Sequence, residues 1–328
     1  MVKTTMVRLV AVGTVSALAA CGGGGSSGSS DNGSGGGTPS VPPEGVGLVL
    51  DPGPFSERRA TVETQADFEA VQGVFSDADQ TYLAIDEIRQ EIRGWNDVVS
   101  QDGNTVTLSC DNAGTLALTL NQEAPTDVTW QFRNCQLEVP SLNTIVLDGT
   151  YTYVNIESES DGTERVDGFQ EIDLTGTIVG SGESIAMQGA DFWEIVVPPE
   201  GPRTETYTTE ALEFLRGTDY QAIETAETAL STVGGITSVT LNARLIGSAI
   251  DGFVDITTEE TIQRVSGGGC PSVGIVRVVG APENSGVEIR YGDSMVAPLD
   301  QATVATTTVI GTTDTVEYDE TECSELIY

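Results

Sequence analysis

Apolar and polar side chains alternate with a period of two through much of the chain from Asp97 onward. The alternation is clearest where Val239, Leu241, Ala243 and Leu245 are separated by single polar or charged residues. Because successive side chains of a strand point to opposite faces, the pattern predicts strands with one buried face and one solvated face. One-sided burial of this kind is typical of antiparallel sheets.

Turn signals divide this region into hairpins. Asp102-Gly103 and Asp161-Gly162 each lie between two alternating segments and predict two-residue turns of type I′. Residues 219–233 fit either a helix or a strand, and their threonines and the flanking strands favour a strand. After the glycine run at 267–269 four more strands are predicted, at about 273–279, 286–291, 302–310 and 314–319.

The clearest helical pattern covers residues 64–93. Thr64 and Asp67 fit a capping box, and apolar residues follow at helical spacing. Ser76 and Asp79 look like a second helix start, which predicts two helices in succession. The apolar stripe predicts that the helical segment lies on a sheet, and a helix that binds a partner protein is the alternative.

These patterns predict a mainly β (α+β) fold. We expect an antiparallel meander sheet that can curve into a half-barrel, an N-terminal helical segment and a small C-terminal β unit. The predicted divisions are a signal peptide (1–20), a lipidated cysteine with a flexible Gly/Ser/Pro tether (21–57), a helical segment (58–96), an antiparallel β domain (97–265) and a C-terminal β unit (266–328).

The first 21 residues have the layout of an export signal: a basic start, an apolar stretch, and then Leu18-Ala19-Ala20-Cys21. This segment resembles the lipobox of bacterial lipoproteins. The resemblance implies that Cys21 carries diacylglycerol, that the chain is cut before Cys21, and that the new amine receives a fatty acid such as palmitate. Gly22 in the next position implies sorting to the outer membrane, on its periplasmic or its surface face. An ordinary signal peptide with a free Cys21 is the alternative.

Four other cysteines remain, and an even number in an exported chain predicts two disulfides with three possible pairings. A weak internal repeat favours one of them. Cys110 and Cys270 each begin a Cys-x-x-x-Gly unit that leads into a strand, and Cys135 and Cys323 each follow an aromatic strand. We therefore predict the pairs Cys110–Cys135 and Cys270–Cys323, with free buried thiols as the alternative.

The residue types in the chain exclude much catalytic chemistry. The chain has no histidine, and Lys3, inside the predicted signal, is its only lysine. Histidine-based triads, dyads and zinc sites are therefore excluded, and so is a catalytic lysine in the processed chain. A formal charge of −36 argues against binding nucleic acid. No catalytic residue, metal ligand or cofactor is predicted. Weak calcium binding stays open at two acidic clusters, with exposed acidic strands as the alternative: Glu157, Glu159, Asp161 and Glu164 at one hairpin, and Glu317, Asp319, Glu320 and Glu322 near the C-terminus.

The sequence supports three functional hypotheses, the first of which is a non-enzymatic envelope lipoprotein with a structural or binding role and an envelope protein as partner. The body resembles uncharacterised proteobacterial lipoproteins built from cysteine-containing β units, and this resemblance implies no activity. The second is a carrier that holds a hydrophobic ligand on the concave face of the sheet, and it is suggested by Ile88, Tyr151, Tyr153, Trp193 and Phe214. The third is a carbohydrate-active enzyme that uses two carboxylates, for which the sequence nominates no pair.

Overall fold

The protein is mainly β, with a single sheet of fifteen antiparallel strands and one long helix among the residues that the structure describes. The strands follow one another in the sheet in the order of the chain, so each pairs with its sequence neighbours. This confirms the antiparallel meander. The structure is a computed structural model, and it describes residues 50, 53–93, 98–120, 127–265, 270–282, 285–292, 304–319 and 326.

The helix α1 covers Gln65–Arg93, and short 3-10 helices cover Gly53–Ser56 and Ser248–Ile250. The strands are β1 (Val98–Asp102), β2 (Thr105–Ser109), β3 (Thr115–Leu120), β4 (Val128–Val139), β5 (Asn143–Ser160), β6 (Thr163–Ile178), β7 (Ser184–Val197), β8 (Arg203–Arg216), β9 (Asp219–Val233), β10 (Ile236–Gly247), β11 (Gly252–Val265), β12 (Val273–Val279), β13 (Gly286–Tyr291), β14 (Val304–Val309) and β15 (Thr315–Asp319).

Tight turns set the register of the central strands. Asp161 and Gly162 both have positive φ and join β5 to β6, so the predicted type I′ hairpin is confirmed there. The first hairpin also forms, but Asp102 pairs with Thr105, and the two turn residues are therefore Gly103 and Asn104, one position later than predicted. The stretch 219–233 is a strand, as favoured above.

The helix begins as its capping box predicts. The backbone N–H of Thr64 donates to Asp67 Oδ2 (2.9 Å), and the backbone N–H of Asp67 donates to Thr64 Oγ1 (3.2 Å). Only one helix follows, so the predicted second start at Ser76 is wrong. The buried positions Val71, Val74 and Ala78 keep one apolar stripe in contact with the sheet across that point.

The helix lies on the inner face of the sheet and divides the core into two apolar clusters. Its first half packs with strands from β9 to β14, and its second half packs with strands from β2 to β8. The side chain of Gln65 donates to Tyr318 on β15, and Glu87 accepts from the backbone N–H of Ser141 at the turn between β4 and β5. Those two helix positions are about 33 Å apart, whereas β5 and β15 would be about 48 Å apart in a flat sheet. The sheet is therefore concave towards α1.

The last four strands continue the same sheet, because β12 pairs with β11 and each later strand pairs with the strand before it. Their bounds are close to those predicted.

A disulfide joins Cys110 to Cys135 and confirms that predicted pair. Cys270 is also disulfide-bonded. Its predicted partner Cys323 lies outside the described residues, so the pair Cys270–Cys323 stays a prediction, as do the division boundaries.

Replacing Ile88 with alanine should lower the free energy of unfolding by about 2 to 5 kcal/mol, because the side chain is fully buried between α1 and the sheet. Urea unfolding followed by far-UV circular dichroism measures the change. Gln90→Ala, two positions away on the exposed side of the same helix, is the matched control and should have little effect. Equal losses in both variants would contradict the packing described for α1.

Replacing both Cys110 and Cys135 with serine should lower the free energy of unfolding by about 3 kcal/mol. The disulfide closes a loop between residues 25 positions apart, and its removal frees that loop in the unfolded chain. Urea unfolding of the oxidised parent and of the double variant measures the loss. A double variant as stable as the parent would show that this disulfide does not stabilise the fold.

Candidate functional site

The inner face of strands β5 to β8 carries three successive rows of side chains that cross the strands beside α1. Each row consists of residues that pair directly across the four strands, and each step between rows is about two residues along a strand. The deep row is Tyr151, Ile172, Gly189 and Leu212; the middle row is Tyr153, Gln170, Asp191 and Thr209; the outer row is Asn155, Gly168, Trp193 and Tyr207.

Burial falls from the deep row to the outer row. All members of the deep row are buried, and in the middle row only Tyr153 is half-buried. All four members of the outer row are half-buried. The helix and the neighbouring side chains therefore cover the first two rows, and the outer row is accessible at the side of α1 that carries Tyr82 and Arg89.

The middle row contains a chain of buried hydrogen bonds. Tyr151 OH donates to Gln170 Oε1 (3.0 Å), and Gln170 Nε2 donates to Asp191 Oδ2 (2.8 Å). From the helix, Tyr82 OH donates to Asp191 Oδ1 (3.1 Å) and lies 3.1 Å from Thr209 Oγ1. Tyr82 packs against both apolar clusters, so this network sits at the seam between them and ties the middle of α1 to β7.

Burial changes the acidities in this network. Loss of solvent raises the pKa of Asp191 above its usual value, and the hydrogen bonds from Gln170, Thr209 and Tyr82 act in the opposite direction. Burial, together with the nearby carboxylate of Asp191, raises the pKa of Tyr82 well above its usual value. A buried carboxyl with a raised pKa is a common feature of functional sites, and it also occurs in structural networks.

In the outer row the indole ring of Trp193 is held flat against the neighbouring strand. A Cβ atom on Gly168 would lie 2.3 Å from the ring, so only glycine leaves room for it at this position. The indole Nε1–H donates to Asn155 Oδ1 (3.3 Å), and the ring packs against Tyr153 with centroids 5.3 Å apart. Its orientation is therefore set by three contacts from β5 and β6 while part of the side chain stays accessible.

Two arginines from the end of α1 complete this surface. The guanidinium carbons of Arg89 and Arg93 lie 5.0 Å and 5.8 Å from the centre of the Tyr153 ring. Arg89 also pairs with Asp86 one turn earlier in the helix. At the other end of the row, Tyr207 OH donates to Glu205 Oε2 (2.7 Å). We call Tyr153, Trp193 and Tyr207 the aromatic row.

The residues proposed from sequence as a hydrophobic carrier site do not form one surface. Ile88, Tyr151 and Phe214 are buried in the apolar cluster around the second half of α1. Tyr153 and Trp193 remain half-buried and belong to the aromatic row. Cys21 lies outside the described residues, so its lipidation stays a prediction. Among the described residues, no group of three or more His, Cys, Asp or Glu side chains is arranged to hold a metal ion.

The polar network and the role of Gly168 were not predicted from the sequence. A signal for the network was present, because Gln170 and Asp191 occupy inward positions in strands whose other inward residues are mostly apolar. Their partner Tyr82 precedes Asp191 by 109 positions, and no local pattern joins the two. Gly168 lies within β6, and its role depends on Trp193, which belongs to the next strand.

The end of the tether region lies on the opposite face of the sheet. Glu213 on β8 is fully buried and accepts hydrogen bonds from Tyr220 OH (2.8 Å) and from the backbone N–H of Leu50 (3.1 Å). Glu213 points to the outer face, and it is about 20 Å along β8 from Tyr207. The chain therefore enters the fold away from the aromatic row.

No protein-family model, no curated protein and no solved structure matches this chain. In the part of the chain that the structure describes, no helix has the length and the apolar composition that crossing a membrane requires.

Replacing Asp191 with asparagine should make the protein relatively more stable as the pH rises from 5 to 8. The folded-state pKa of Asp191 is raised, so its protonated form stabilises the fold at low pH and this contribution is lost as the pH rises through the folded pKa. Asparagine does not ionise, and it can keep the network if the amide of Gln170 reverses.

The measurement is urea unfolding of both proteins at several pH values above the isoelectric point of about 4.1. We expect the stability of Asp191→Asn minus that of the parent to increase with pH. The exposed Asp173→Asn on the neighbouring strand is the control for removing one carboxylate from the sheet. A difference for Asp191→Asn that stays flat, or that only follows the difference measured for Asp173→Asn, would contradict the raised pKa.

Proposed function

We propose that this protein is a non-enzymatic binding protein of the bacterial cell envelope, anchored by lipid at Cys21, and that the aromatic row is its binding surface. The observation that carries the proposal is the indole of Trp193, which is held in one orientation and remains partly accessible. Because the side chain is already ordered, a ligand that binds this surface loses little free energy to side-chain ordering, and such preorganisation favours binding.

The anchor part of the proposal is supported by the sequence. Leu18-Ala19-Ala20-Cys21 closes an export signal, and the flexible residues that follow suit a tether. Several acyl chains on one cysteine would give firm residence in a membrane, because one chain alone binds only marginally. A tether that joins the outer face, away from the aromatic row, leaves this row accessible on an anchored molecule.

The binding part of the proposal is supported by the contrast between the rows. Large aromatic side chains on a sheet normally serve the core, as Tyr151 does in the deep row. Tyr153, Trp193 and Tyr207 lie on the same face but are not fully covered. Binding sites typically combine such apolar surfaces with a few fixed polar groups, and Asn155 and Glu205 provide them here. The carrier hypothesis has less support, because Ile88, Tyr151 and Phe214, three of the residues that suggested it, are buried in the apolar cluster around α1.

Two measurements test the proposal. Intact-mass analysis of the protein purified from bacterial membranes should find diacylglycerol and an acyl group on Cys21, and Cys21→Ser should release the protein from the membrane fraction. Finding Cys21 unmodified would contradict the anchor part of the proposal.

For the binding surface, immobilised protein is exposed to a detergent extract of a Gram-negative cell envelope, and the retained proteins, glycans and small molecules are identified by mass spectrometry. We expect the parent to retain a ligand that Trp193→Ala loses. Phe192→Ala is the matched control, because Phe192 is the adjacent half-buried aromatic residue on the opposite face of β7. Equal retention by parent and Trp193→Ala would contradict a binding role for the aromatic row.

A further inference from the structure

We infer that the ligand of the aromatic row is a neutral saccharide chain, which stacks its sugar rings on Trp193 and its neighbours. This inference rests on the proposed binding function and names its ligand class. It follows from the orientation of the indole, from the polar groups at the ends of the row, and from the charges around it.

The orientation of Trp193 favours a ligand with a flat apolar face. The indole lies against the backbone of β6 at Gly168, so the ring lies along the sheet surface while the side chain stays half-buried. The row extends from Tyr153 on β5 to Tyr207 on β8, which is about 14 Å across three strand spacings. A surface of this width accommodates more than one sugar ring, and the C–H face of a pyranose is the apolar surface that stacks on an aromatic ring.

The ends of the row carry planar polar side chains suited to hydroxyl groups. Asn155 lies at one end, fixed by the indole Nε1–H. Glu205 lies at the other end, where it accepts from Tyr207 OH and pairs with Arg203 (3.0 Å). A purely apolar ligand would remove these groups from water without replacing their hydrogen bonds, which is costly. A ligand with many hydroxyl groups can replace them.

Charge argues for a neutral ligand. The chain has a formal charge of −36, so its field repels an anionic ligand. A cationic ligand would be expected to bind the ring of Tyr153, but the guanidinium groups of Arg89 and Arg93 already lie over that ring. A neutral chain of sugars meets neither obstacle.

The test is isothermal titration of the full-length protein in a polyoxyethylene detergent, which has no sugar headgroup. The probes are maltohexaose, cellohexaose, xylohexaose and chitohexaose, with tetramethylammonium chloride as the cationic comparison. We expect saturable binding of at least one hexasaccharide, a blue or red shift of tryptophan emission on binding, and no saturable binding of tetramethylammonium.

Three variants locate the site. Trp193→Ala should weaken binding about tenfold or more through loss of stacking. Gly168→Ala keeps an ordinary backbone conformation but displaces the indole, so it should weaken binding without removing any group that touches the ligand. Phe192→Ala on the opposite face should keep the parent affinity within about twofold, whatever it does to stability. Binding by Trp193→Ala with the parent affinity would overturn the inference.

The test separates this inference from the proposed function. If no hexasaccharide binds while Trp193 still determines what the protein retains from envelope extract, the saccharide inference is wrong and the binding function stands. Saturable binding of tetramethylammonium that depends on Trp193 would also overturn the saccharide assignment, in favour of a cationic ligand. If neither the probes nor the extract show dependence on Trp193, both proposals fall.

Discussion

The packing of one helix against the concave face of the sheet is the contact on which the rest of the structure depends. In the part of the chain that the structure describes, fifteen antiparallel strands pair their backbone groups but leave one apolar face that water would otherwise contact. The apolar stripe of α1 packs against this face, with Phe68 and Ile88 fully buried in its two halves. At about 25 cal/mol per Å² of apolar surface, burial along a helix of this length is a dominant stabilising contribution.

The finite width of α1 also explains where an accessible surface remains. Strands β5 to β9 have 14 to 18 residues, and a helix about 10 Å wide covers only part of that length. Along the strands the side chains therefore change from the buried deep row, through the hydrogen-bonded middle row, to the half-buried outer row. The candidate site is the edge of the helix–sheet contact, not a separate element added to the fold.

Local patterns in the sequence predicted most of the fold. The features that they did not predict depend on contacts between residues far apart in the chain. Alternation and turns gave the meander, because each strand pairs with its sequence neighbours and a tight turn such as Asp161-Gly162 sets the register. Ser76 and Asp79 suggested a second helix start, but tertiary packing on both sides of that point overrides the local preference. The site was not predictable, because Tyr82 meets Asp191, and Trp193 meets Gly168, only once the sheet has formed.

The buried network around Asp191 gives a physical reason for the position of the edge of the helix–sheet contact. An apolar stripe on an apolar face tolerates small shifts of the helix, since hydrophobic contact has no preferred direction. Hydrogen bonds from Tyr82 and Gln170 to Asp191 do have a direction, and a shifted helix would leave a buried carboxyl without its donors. The raised pKa of Asp191 means that the network costs stability once the pH exceeds the folded-state pKa, but the network fixes α1 at one place beside β7. Because Arg89 and Arg93 extend from the same helix over Tyr153, fixing Tyr82 also fixes one side of the aromatic row.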